Sequence, residues 1–580
     1  MSKQALPSFS KALFSGAILD ELLFPYPELD KDEAENVKMM VDTFNKFAED
    51  HIDSAKIDEE AKIPEEVINQ LKELGFFGMN IPEEYGGFGL SNSGYVRMLE
   101  AISSKDPSIA LTLGAHQSIG LKALLLYGSD EQKKKYLPKL ATGEMVASYC
   151  LTEPGAGSDA AGIKSRAVRD EKEGCYILNG SKLWITNGGF ANFFTVFAKE
   201  PITNADGKTK DKISAFIVTG DMDGVSRGKE ESKMGIKGSS TAAIFFDNVK
   251  IPFENVIGEP GKGFKVAMGV LNNGRTGLAG GAIGALKVLL KTTIEHIKER
   301  KQFSKTLSQF EMIQEKVSQT VIEMFTAENM VYMTTNLIDR GDVDYSLESA
   351  MCKVYATETA WKGVNECMQM VGGLGYMKEY PYERLLRDSR INLIFEGTNE
   401  ILRMFTVLAG IQERGEYLRK IGHALRDPIK GFGLLTDYAT NWVRDRVTTE
   451  RIREVDPSLT QSKTYFETWA RNLFITGERV LMTHGKNIIY REMIQHRIAD
   501  ATIDLFAMIS NISRVDTLIR EKGKEKCKRE ITICNTFCEQ AWRRVRRNIL
   551  MVDKNNDKEL KEIAETVIEE GRYPYSSTFH

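Results

Sequence analysis

The chain has 580 residues, of which 42% are hydrophobic and 27% are charged, a balance typical of a globular protein with roughly three or four domains. Its formal net charge is -4, which argues against a nucleic-acid binder because such proteins are usually basic. The charge is uneven: residues 411–580 hold 30 Lys and Arg against 25 Asp and Glu, a net charge of +5, which leaves -9 for residues 1–410.

Cysteine usage and the first residues bear on the compartment. Seven cysteines are scattered without a CxxC pair, and only seven histidines occur, so we expect reduced thiols and neither a zinc site nor a disulfide framework. The start, MSKQALPSFSKALF, lacks the long apolar core of a secretory signal, and no run of 18 or more consecutive apolar residues predicts a transmembrane helix. We therefore expect a cytoplasmic protein, with any membrane contact peripheral.

Residues 1–148 are predicted to be helical. From Asp32 to Leu74, apolar residues recur at i+3 and i+4 spacing among charged residues. Glycines and prolines in GFFGMNIPEEYGGFGL mark a loop, and Ser129, followed by acidic residues, marks the start of a further helix.

Residues 149–260 are predicted to form a β domain. Short runs rich in Val, Ile, Phe and Thr, such as CYILNGSKLWITNG and ISAFIVTG, alternate with turns that contain Asn-Gly pairs. The pattern changes from helical to β near Ala147.

Long helical segments return in residues 261–410, and segments of about 20 to 30 residues joined by short loops predict a helix bundle. Residues 411–580 form a further helical region whose first part is broken by Pro and Gly. The order of helices, sheet, bundle and helices differs from the βαβα alternation of a doubly wound nucleotide-binding fold.

The stretch YCLTEPGAGSDAAG (149–162) contains GxG but no GxGxxG, so it does not predict a Rossmann dinucleotide site. Gly155 and Gly157 leave the backbone free of side-chain bulk, and Thr152 and Ser158 offer hydroxyls. Such a loop can lie against a flat ring, although an ordinary glycine-rich turn has the same composition.

The stretch KLWITNGG (182–189) places Trp184 and Thr186 on the same face of a predicted strand. An indole beside a hydroxyl suits a flavin, because the indole can cover the ring while the hydroxyl meets an edge heteroatom. Core packing of a strand tryptophan is the alternative.

Two arginines on bundle helices are candidates for contact with a phosphate or a nucleotide. Arg275 in LNNGRT lies beside two asparagines, and Arg300 in ERKQF lies near Phe303, which could cover an adenine. A solvated surface arginine and a charge cluster at a helix end are the alternatives.

The stretch IFEGTNE places a single acid, Glu396, between Ile394 and Phe395 on one side and Gly397 on the other. Apolar neighbours would partly desolvate the carboxylate and raise its proton affinity, which suits a general base that acts near neutral pH. An acid near the start of a helix is also commonplace.

Taken in chain order, these motifs resemble those of the acyl-CoA dehydrogenase family over residues 35–408. The residues that carry the resemblance are YCLTEPGAGSD, KLWITNGG, KMGIKGSSTAAIFFDNVKIP, GFKVAMGVLNNGR, ERKQF, MQMVGGLGY and RDSRINLIFEGTNEILR. The stretches LGAHQSIGLKALLLYG, LNNGR and HRIADATIDLFAMISNISR (496–514) are similar to the very-long-chain branch, including its complex I assembly-factor relative.

The resemblance implies a mainly α fold with a central β domain. It divides the chain into an N-terminal helical domain (1–148), a middle β-barrel-like domain (149–260), a C-terminal four-helix bundle (261–410) and an additional helical domain for dimer contact (411–580).

The resemblance also implies a non-covalent FAD and a base, Glu396; some relatives carry this base on the helix that corresponds to LNNGR, which offers no acid here. The residues expected around the isoalloxazine are Tyr149, Leu151, Thr152, Gly157, Ser158, Trp184, Ile185 and Thr186. Those expected at the ADP half, across the subunit interface of a homodimer, are Arg300, Phe303, Gln369, Gly372 and Gly373, with Thr398 and Asn399 at the pyrophosphate. The CoA thioester would contact Ser158, Asn272, Arg275, Phe395 and Gly397, although many members carry an acid where this chain has Asn272.

The implied reaction is α,β-dehydrogenation of a long-chain or very-long-chain fatty acyl-CoA to the trans-2-enoyl-CoA, the first step of fatty acid β-oxidation. An electron-transfer flavoprotein would accept the electrons, and no metal or nucleic acid is expected. Small residues in TLGAHQSIGL (Gly114, Ala115 and Gly120) would leave a deep apolar channel, with close helix packing as the alternative. Residues 411–455 combine basic and apolar residues and would form an amphipathic segment at the anionic surface of an inner membrane, or a face buried in the dimer.

Three other functions share much of this pattern. A respiratory-complex assembly or scaffold protein could keep the fold and the FAD, and an acyl-CoA oxidase would pass electrons directly to oxygen. A nucleic-acid-associated relative with a basic tail is disfavoured, because a tail charge of only +5 is small.

Overall fold

The computed structural model describes residues 6–203, 206–424 and 450–575. It is mainly α-helical with one central β-sheet, so the expected fold class is confirmed. Two compact units are present: one consists of Leu22–Leu402 with the residues up to Ser8, and the other of Phe9–Glu21 with the chain from Arg403 onward.

The helices that precede the sheet are α1 (Phe9–Phe14), α2 (Lys31–His51), α3 (Ser54–Glu60), α4 (Glu65–Glu73), α5 (Asn92–Lys105), α6 (Pro107–Gly114), α7 (Lys122–Tyr127) and α8 (Asp130–Ala141). Helix α8 begins where expected, at a capping box in which Ser129 and Gln132 each accept a hydrogen bond from the other's backbone N–H.

A π-helical turn, Ala115–Gly120, separates α6 from α7. Its His116 is buried, accepts a hydrogen bond at Nδ1 from the backbone N–H of Ala147 (2.9 Å) and lies 3.1 Å from the carbonyl oxygen of Leu140 at Nε2. Burial lowers the pKa of His116 to about 4, so the ring stays neutral at physiological pH and ties this turn to the first strand.

Eight strands form the main sheet: β1 (Ala147–Cys150), β2 (Arg166–Asp170), β3 (Cys175–Thr186), β4 (Phe193–Thr203), β5 (Thr209–Thr219), β6 (Val225–Glu230), β7 (Thr241–Pro252) and β8 (Val256–Ile257). Their order is β6-β7-β3-β2-β4-β5-β8, with β1 parallel to β4. Strand β4 is buried on both faces: Phe193 and Phe197 pack with helical residues such as Leu137 and Val266, whereas Phe194 and Val196 pack inside the β domain. The sheet therefore has one face against helices of the same unit.

The helices that follow the sheet in the first unit are α9 (Gly263–Glu299), α10 (Glu311–Arg340), α11 (Ser346–Val371), α12 (Pro381–Arg390) and the start of α13 (Asn399–Gly410). A short ribbon of β9 (Lys301–Gln302) and β10 (Lys305–Thr306) joins α9 to α10. Helix α9 packs against both α11 and α5.

Glycines on α9 let α5 approach closely. A Cβ at Gly280 would collide with the side chain of Val96, and one at Gly284 would collide with the carbonyl oxygen of Glu100. A Cβ at Gly281 would instead lie 3.6 Å from the Cβ of Ser103, an ordinary contact. Only some of these glycines are therefore required by packing.

Replacing Gly284 by Ala is expected to lower the free energy of unfolding by about 1–3 kcal/mol, because the backbone of α5 must move away from the added methyl group. The matched exchange Gly281→Ala on the same helix should leave stability unchanged or raise it by up to about 1 kcal/mol through helix propensity. Thermal or denaturant unfolding of both variants measures the difference, and equal stabilities would contradict the close approach.

Two helical stretches, Pro107–Tyr127 and Gly263–Glu299, are long and apolar enough to cross a membrane by length and composition. Most of the apolar window of each is buried inside the protein, as it is in core helices of soluble proteins.

The second unit contains α1, the rest of α13, α14 (Gln412–Ala424), α15 (Thr460–His484), α16 (Glu492–Lys522), α17 (Lys528–Leu550) and α18 (Asp557–Glu570). Helix α16 is buried along most of its length and packs against α15 and α17. The ring of Phe9 on α1 lies 6.4 Å from both Phe466 and Phe506, so the N-terminal helix belongs to this core. Most of the predicted membrane segment, residues 425–449 of 411–455, lies outside the described residues.

Candidate active site

Glu396 lies in the connection between α12 and α13, in a turn with unusual backbone geometry. Its φ is +56° and that of Gly397 is +92°, so two consecutive residues are left-handed. A residue with a side chain rarely adopts this conformation unless its surroundings hold it there. Two cationic side chains do so: Arg275 Nε donates to the carbonyl oxygen of Glu396 (3.2 Å), and Lys353 Nζ donates to that of Gly397 (2.9 Å).

One oxygen of the Glu396 carboxylate is held away from solvent, and the residue as a whole is half-buried. Its Oε2 is inaccessible and has no hydrogen-bond partner among the described residues. Burial raises the pKa of Glu396 to about 6, although the charges of Arg275 and Lys353 act to lower it. A carboxylate of this kind is a proton acceptor near neutral pH.

The source of this desolvation differs from the one expected. Ile394 is 46% exposed, so it does not shield the carboxylate as the sequence suggested. Residues of distant segments do: a Cβ at Gly274 on α9 would lie 3.5 Å from Glu396 Oε2, and the charge of Glu396 acts on the phenols of the buried Tyr95 and the half-buried Tyr149.

Both phenols hydrogen-bond elsewhere. The Tyr95 hydroxyl lies 2.9 Å from Ser118 Oγ, and that of Tyr149 donates to the carbonyl oxygen of Ala267 (3.2 Å). Burial raises the pKa of both tyrosines, so they remain neutral. Because neither phenol hydrogen-bonds to Glu396, the carboxylate stays available to act on another molecule.

Arg275 is oriented by the residue that was expected to contact CoA. Its Nη1 donates to Asn272 Oδ1 (2.7 Å), and the carbonyl oxygen of Asn272 accepts a hydrogen bond from Ser349 Oγ (2.5 Å). Burial lowers the pKa of Arg275 to about 10, which leaves it charged at neutral pH. The structure thus joins Asn272, Arg275 and the Glu396 loop in one cluster.

Asn399, which was expected at a pyrophosphate, has its side chain engaged by neighbouring residues. Its side chain is buried; Oδ1 accepts from Lys353 (2.8 Å), and Nδ2 donates to Thr357 Oγ1 and Glu358 Oε1 (both 3.2 Å). Only its backbone remains for a ligand. Thr398, by contrast, caps α13, with Oγ1 accepting from the N–H of Ile401 (3.3 Å).

The glycine loop that follows β1 is joined to β3 by a buried ion pair. Lys182 Nζ lies 2.7 Å from Glu153 Oε1 and donates to the carbonyl oxygen of Leu151 (3.1 Å). The N–H of Leu183 also donates to the carbonyl oxygen of Thr152 (2.9 Å). The two segments expected to hold a flavin are thereby fixed to each other.

Trp184 lies in an irregularity of β3, because the register against β7 shifts between Lys182 and Ile185 and φ at Trp184 is +56°. The regular pleat that the sequence predicted through Trp184 and Thr186 is therefore wrong at this point. The indole is 62% exposed, as a platform for a flat ring would be, whereas Ile185 and Leu151 are buried core residues.

Glycines of this loop leave room for a ligand. A Cβ at Gly155 or Gly157 would meet no atom within 4 Å, and Ser158 is exposed beside them. A Cβ at Gly372 or Gly373, the residues that follow α11, would also meet no atom within 4 Å. Open backbone beside an exposed indole fits a planar cofactor that lies against the sheet.

The residues expected at the ADP half lie at the ends of α9 and α11. All are exposed, and Phe303 is 88% exposed with φ at +50° on the ribbon between β9 and β10. They are Arg300, Phe303, Gln369, Gly372 and Gly373. The ring of Phe303 is therefore accessible to a ligand or a partner.

Sequence reasoning missed Lys353, the Glu153–Lys182 pair and Tyr95. The sequence does contain a signal for the two lysines: Lys353 lies in the otherwise apolar run SAMCKVYA, and Lys182 precedes Trp184 on a strand. Because buried charges are rare and generally paired, a lysine in such a place indicates a buried partner. In the described residues, no group of three or more His, Cys, Asp or Glu is placed to hold a metal ion.

The sequence matches four family models that cover most of its length. They are the N-terminal (residues 34–144), middle (148–249) and C-terminal (261–409) domains of acyl-CoA dehydrogenase, and the ACAD9/ACADV C-terminal domain (457–573).

The chain is 41% identical to the mitochondrial very long-chain specific acyl-CoA dehydrogenases of Rattus norvegicus and Homo sapiens, over 97% and 98% of its length and 88% of theirs. It is 34% identical to a probable acyl-CoA dehydrogenase of Bacillus subtilis over 91% of its length and 89% of the relative. Among solved structures, an acyl-CoA dehydrogenase complexed with FAD from Bacillus anthracis superposes with a TM-score of 0.78 and 31% identity, covering 98% of this chain and 96% of that one.

Proposed function

The chain belongs to the acyl-CoA dehydrogenase family, and we propose that it oxidises long-chain to very-long-chain fatty acyl-CoA with Glu396 as the base. It is an FAD-dependent enzyme that dehydrogenates acyl-CoA. The observation that supports the base is the buried, unpartnered Oε2 of Glu396 in a turn clamped by two cations.

In the proposed mechanism, Glu396 takes the proton from the α-carbon of the thioester, and the electron pair of that C–H bond forms the α,β double bond. Bound FAD supplies the acceptor for the hydride that leaves the β-carbon. Arg275 and Lys353 hold the carbonyl groups that flank the base, and the packed walls around Glu396 exclude water that would otherwise lower its basicity. The product is a trans-2-enoyl thioester.

We propose that the flavin ring lies against the loop of Gly155 and Gly157 and the indole of Trp184. The exposed residues at the ends of α9 and α11, Phe303 foremost, would hold the ADP half together with a second copy of the chain. Homodimerisation, peripheral contact with an anionic membrane and electron delivery to an electron-transfer flavoprotein, the partner typical of the family, are parts of the same proposal.

The rate of flavin reduction is expected to fall about tenfold for each pH unit below about 6. Glu396 must be deprotonated to act, and burial places its pKa near this value. Stopped-flow reduction by an acyl-CoA between pH 4 and 8 measures the acid limb. A midpoint of the acid limb near pH 4.5, the ordinary pKa of a glutamate, would contradict this prediction and would mean that the carboxylate is solvated in the working enzyme.

Chain length is supported by the relatives and by the helix that contains the small residues. A Cβ at Gly114 would meet nothing within 4 Å, which favours a channel there, whereas one at Gly120 would meet Ala115 O at 2.7 Å, which favours close packing. We therefore propose a channel at Gly114 and close helix packing at Gly120.

Anaerobic titration with saturated acyl-CoAs of graded length tests the function. Long chains are expected to bleach the flavin more completely than short ones, and Gly114→Leu should shorten the longest chain accepted. Gly281→Ala serves as the control, since its added methyl meets only an ordinary contact. No bleaching by any acyl-CoA would refute the activity, and adding air or electron-transfer flavoprotein to the reduced enzyme separates an oxidase from a dehydrogenase.

A further inference from the structure

We propose that Lys353 is a positioning residue for the catalytic turn: its ammonium group holds Glu396 and Gly397 in the left-handed conformation that presents the carboxylate to the substrate. The proposal rests on the function proposed for Glu396. Lys353 lies on α11, 43 positions before the base, and its side chain is fully buried.

The ammonium group of Lys353 bridges two acceptors of the turn. Nζ donates to the carbonyl oxygen of Gly397 (2.9 Å) and to Asn399 Oδ1 (2.8 Å), two acceptors on either side of Thr398. The amide of Asn399 cannot be reversed without loss, because Nδ2 donates to Glu358 Oε1 while Oδ1 faces the ammonium. The contact with Glu358 thus orients the amide oxygen of Asn399 toward Lys353.

In this turn, the peptide groups that follow the two left-handed residues, Glu396 and Gly397, are each held by a cationic side chain. Arg275 Nε donates to the carbonyl oxygen of Glu396, and Lys353 donates to the next carbonyl oxygen. Without the second contact, the peptide after Gly397 is free to rotate, because glycine has no Cβ to restrict it. A rotation there would turn the adjacent Glu396 away from the substrate.

Lys353 also acts on the charge of the base. The charged groups that face it are Glu396 on the turn, Arg275 on α9, Glu358 on its own helix and Glu400 on α13. Burial lowers the pKa of Lys353 to about 7; Glu396 opposes this shift and Arg275 adds to it. Since the cation in turn lowers the pKa of Glu396, removing it should raise that pKa.

The test compares Lys353→Met with the wild type in anaerobic stopped-flow reduction by a long-chain acyl-CoA between pH 5 and 9. The variant is expected to reduce flavin at least tenfold more slowly and to show an acid limb displaced upward by about one pH unit. A merely structural lysine would lower the melting temperature or the FAD content and leave the limb of the remaining holoenzyme in place. An undisplaced limb therefore overturns the proposal.

Two further variants keep the result interpretable. Lys463→Met removes another buried lysine, which donates to the carbonyl oxygen of Arg453 (3.2 Å) and to Glu454, and it should leave the pH profile unchanged. Lys353→Arg keeps the positive charge, but a planar guanidinium group replaces the single ammonium group that donates to both acceptors. This variant should therefore slow reduction while keeping the acid limb of the wild type. If Lys353→Met does not fold, a wild-type rate in Lys353→Arg overturns the proposal.

Failure of the two proposals is distinguishable. If acyl-CoA does not bleach the wild-type flavin, or if Glu396→Gln still reduces it at the wild-type rate, the function proposed for the site fails. If the wild type is bleached through Glu396 and Lys353→Met keeps both rate and limb, the role of Lys353 alone fails.

Discussion

Glu396→Gln is expected to slow flavin reduction by acyl-CoA by about 10²–10⁴-fold, the range typical of removing a general base. Glutamine keeps the size of the side chain and the carbonyl contacts of Arg275 and Lys353 but cannot accept the α-proton at neutral pH. Binding of acyl-CoA should be nearly unchanged, so the effect should appear in the rate of reduction.

The same exchange is expected to stabilise the protein. A pKa raised from the usual 4.5 to about 6 means that keeping this carboxylate charged at pH 7 costs about 2 kcal/mol of folding free energy. The sign follows from linkage: an acid with a raised folded-state pKa favours the fold when protonated and disfavours it once the pH exceeds that value. Neutral glutamine removes the cost, so the variant should lose activity and melt at a higher temperature.

A matched control is Glu565→Gln, an exposed glutamate on α18. It should change neither the rate of reduction nor the stability. Loss of activity together with loss of stability in Glu396→Gln would mean that the turn had collapsed, and the assignment of the base would then have no support from this variant.

Lys182→Met is expected to destabilise the first unit by about 3–5 kcal/mol and to abolish retention of FAD. It leaves Glu153 as a buried charge without its cation, and removing one partner of a buried pair typically costs this much. Burial alone would raise the pKa of Glu153, but the hydrogen bond and the charge of Lys182 bring it below its usual value. The flavin loop would also lose the contact between Lys182 and the carbonyl oxygen of Leu151.

The double variant Lys182→Met with Glu153→Gln separates charge from geometry. Removing both charges should recover much of the stability, while FAD binding should recover less, because the bond to the Leu151 carbonyl oxygen is still missing. Unfolding transitions and the absorbance ratio of flavin to protein measure the two effects. Equal recovery of both would show that the pair stabilises the fold without positioning the loop.

Local patterns in the sequence predicted the elements well. Ser129 begins its helix as expected, the β-type runs form strands, and the long periodic segments form helices, because each depends on residues within a few positions of one another. The resemblance to a family, carried by ordered motifs, then predicted FAD and acyl-CoA chemistry, which the relatives confirm.

What local patterns could not predict is contact between distant positions. Lys353 meets the Glu396 turn across 44 positions, and Glu153 meets Lys182 across 29. The desolvation of Glu396 comes from α9 and from two tyrosines, whereas the neighbour that the sequence favoured, Ile394, faces solvent. The irregularity at Trp184 depends on pairing with β7 and has no signature within β3 itself.

The N-terminal helix α1 packs in the same core as α15 and α16, so the order of synthesis matters for this protein. Phe9 leaves the ribosome more than 450 residues before Phe466, its ring partner. At about 5–20 residues per second, the apolar face of α1 waits roughly half a minute to a minute and a half for the chain that will cover it. The apolar face of α1 is thus uncovered during that interval, and a truncation after Leu402 would remove α15 and α16, the helices that cover it.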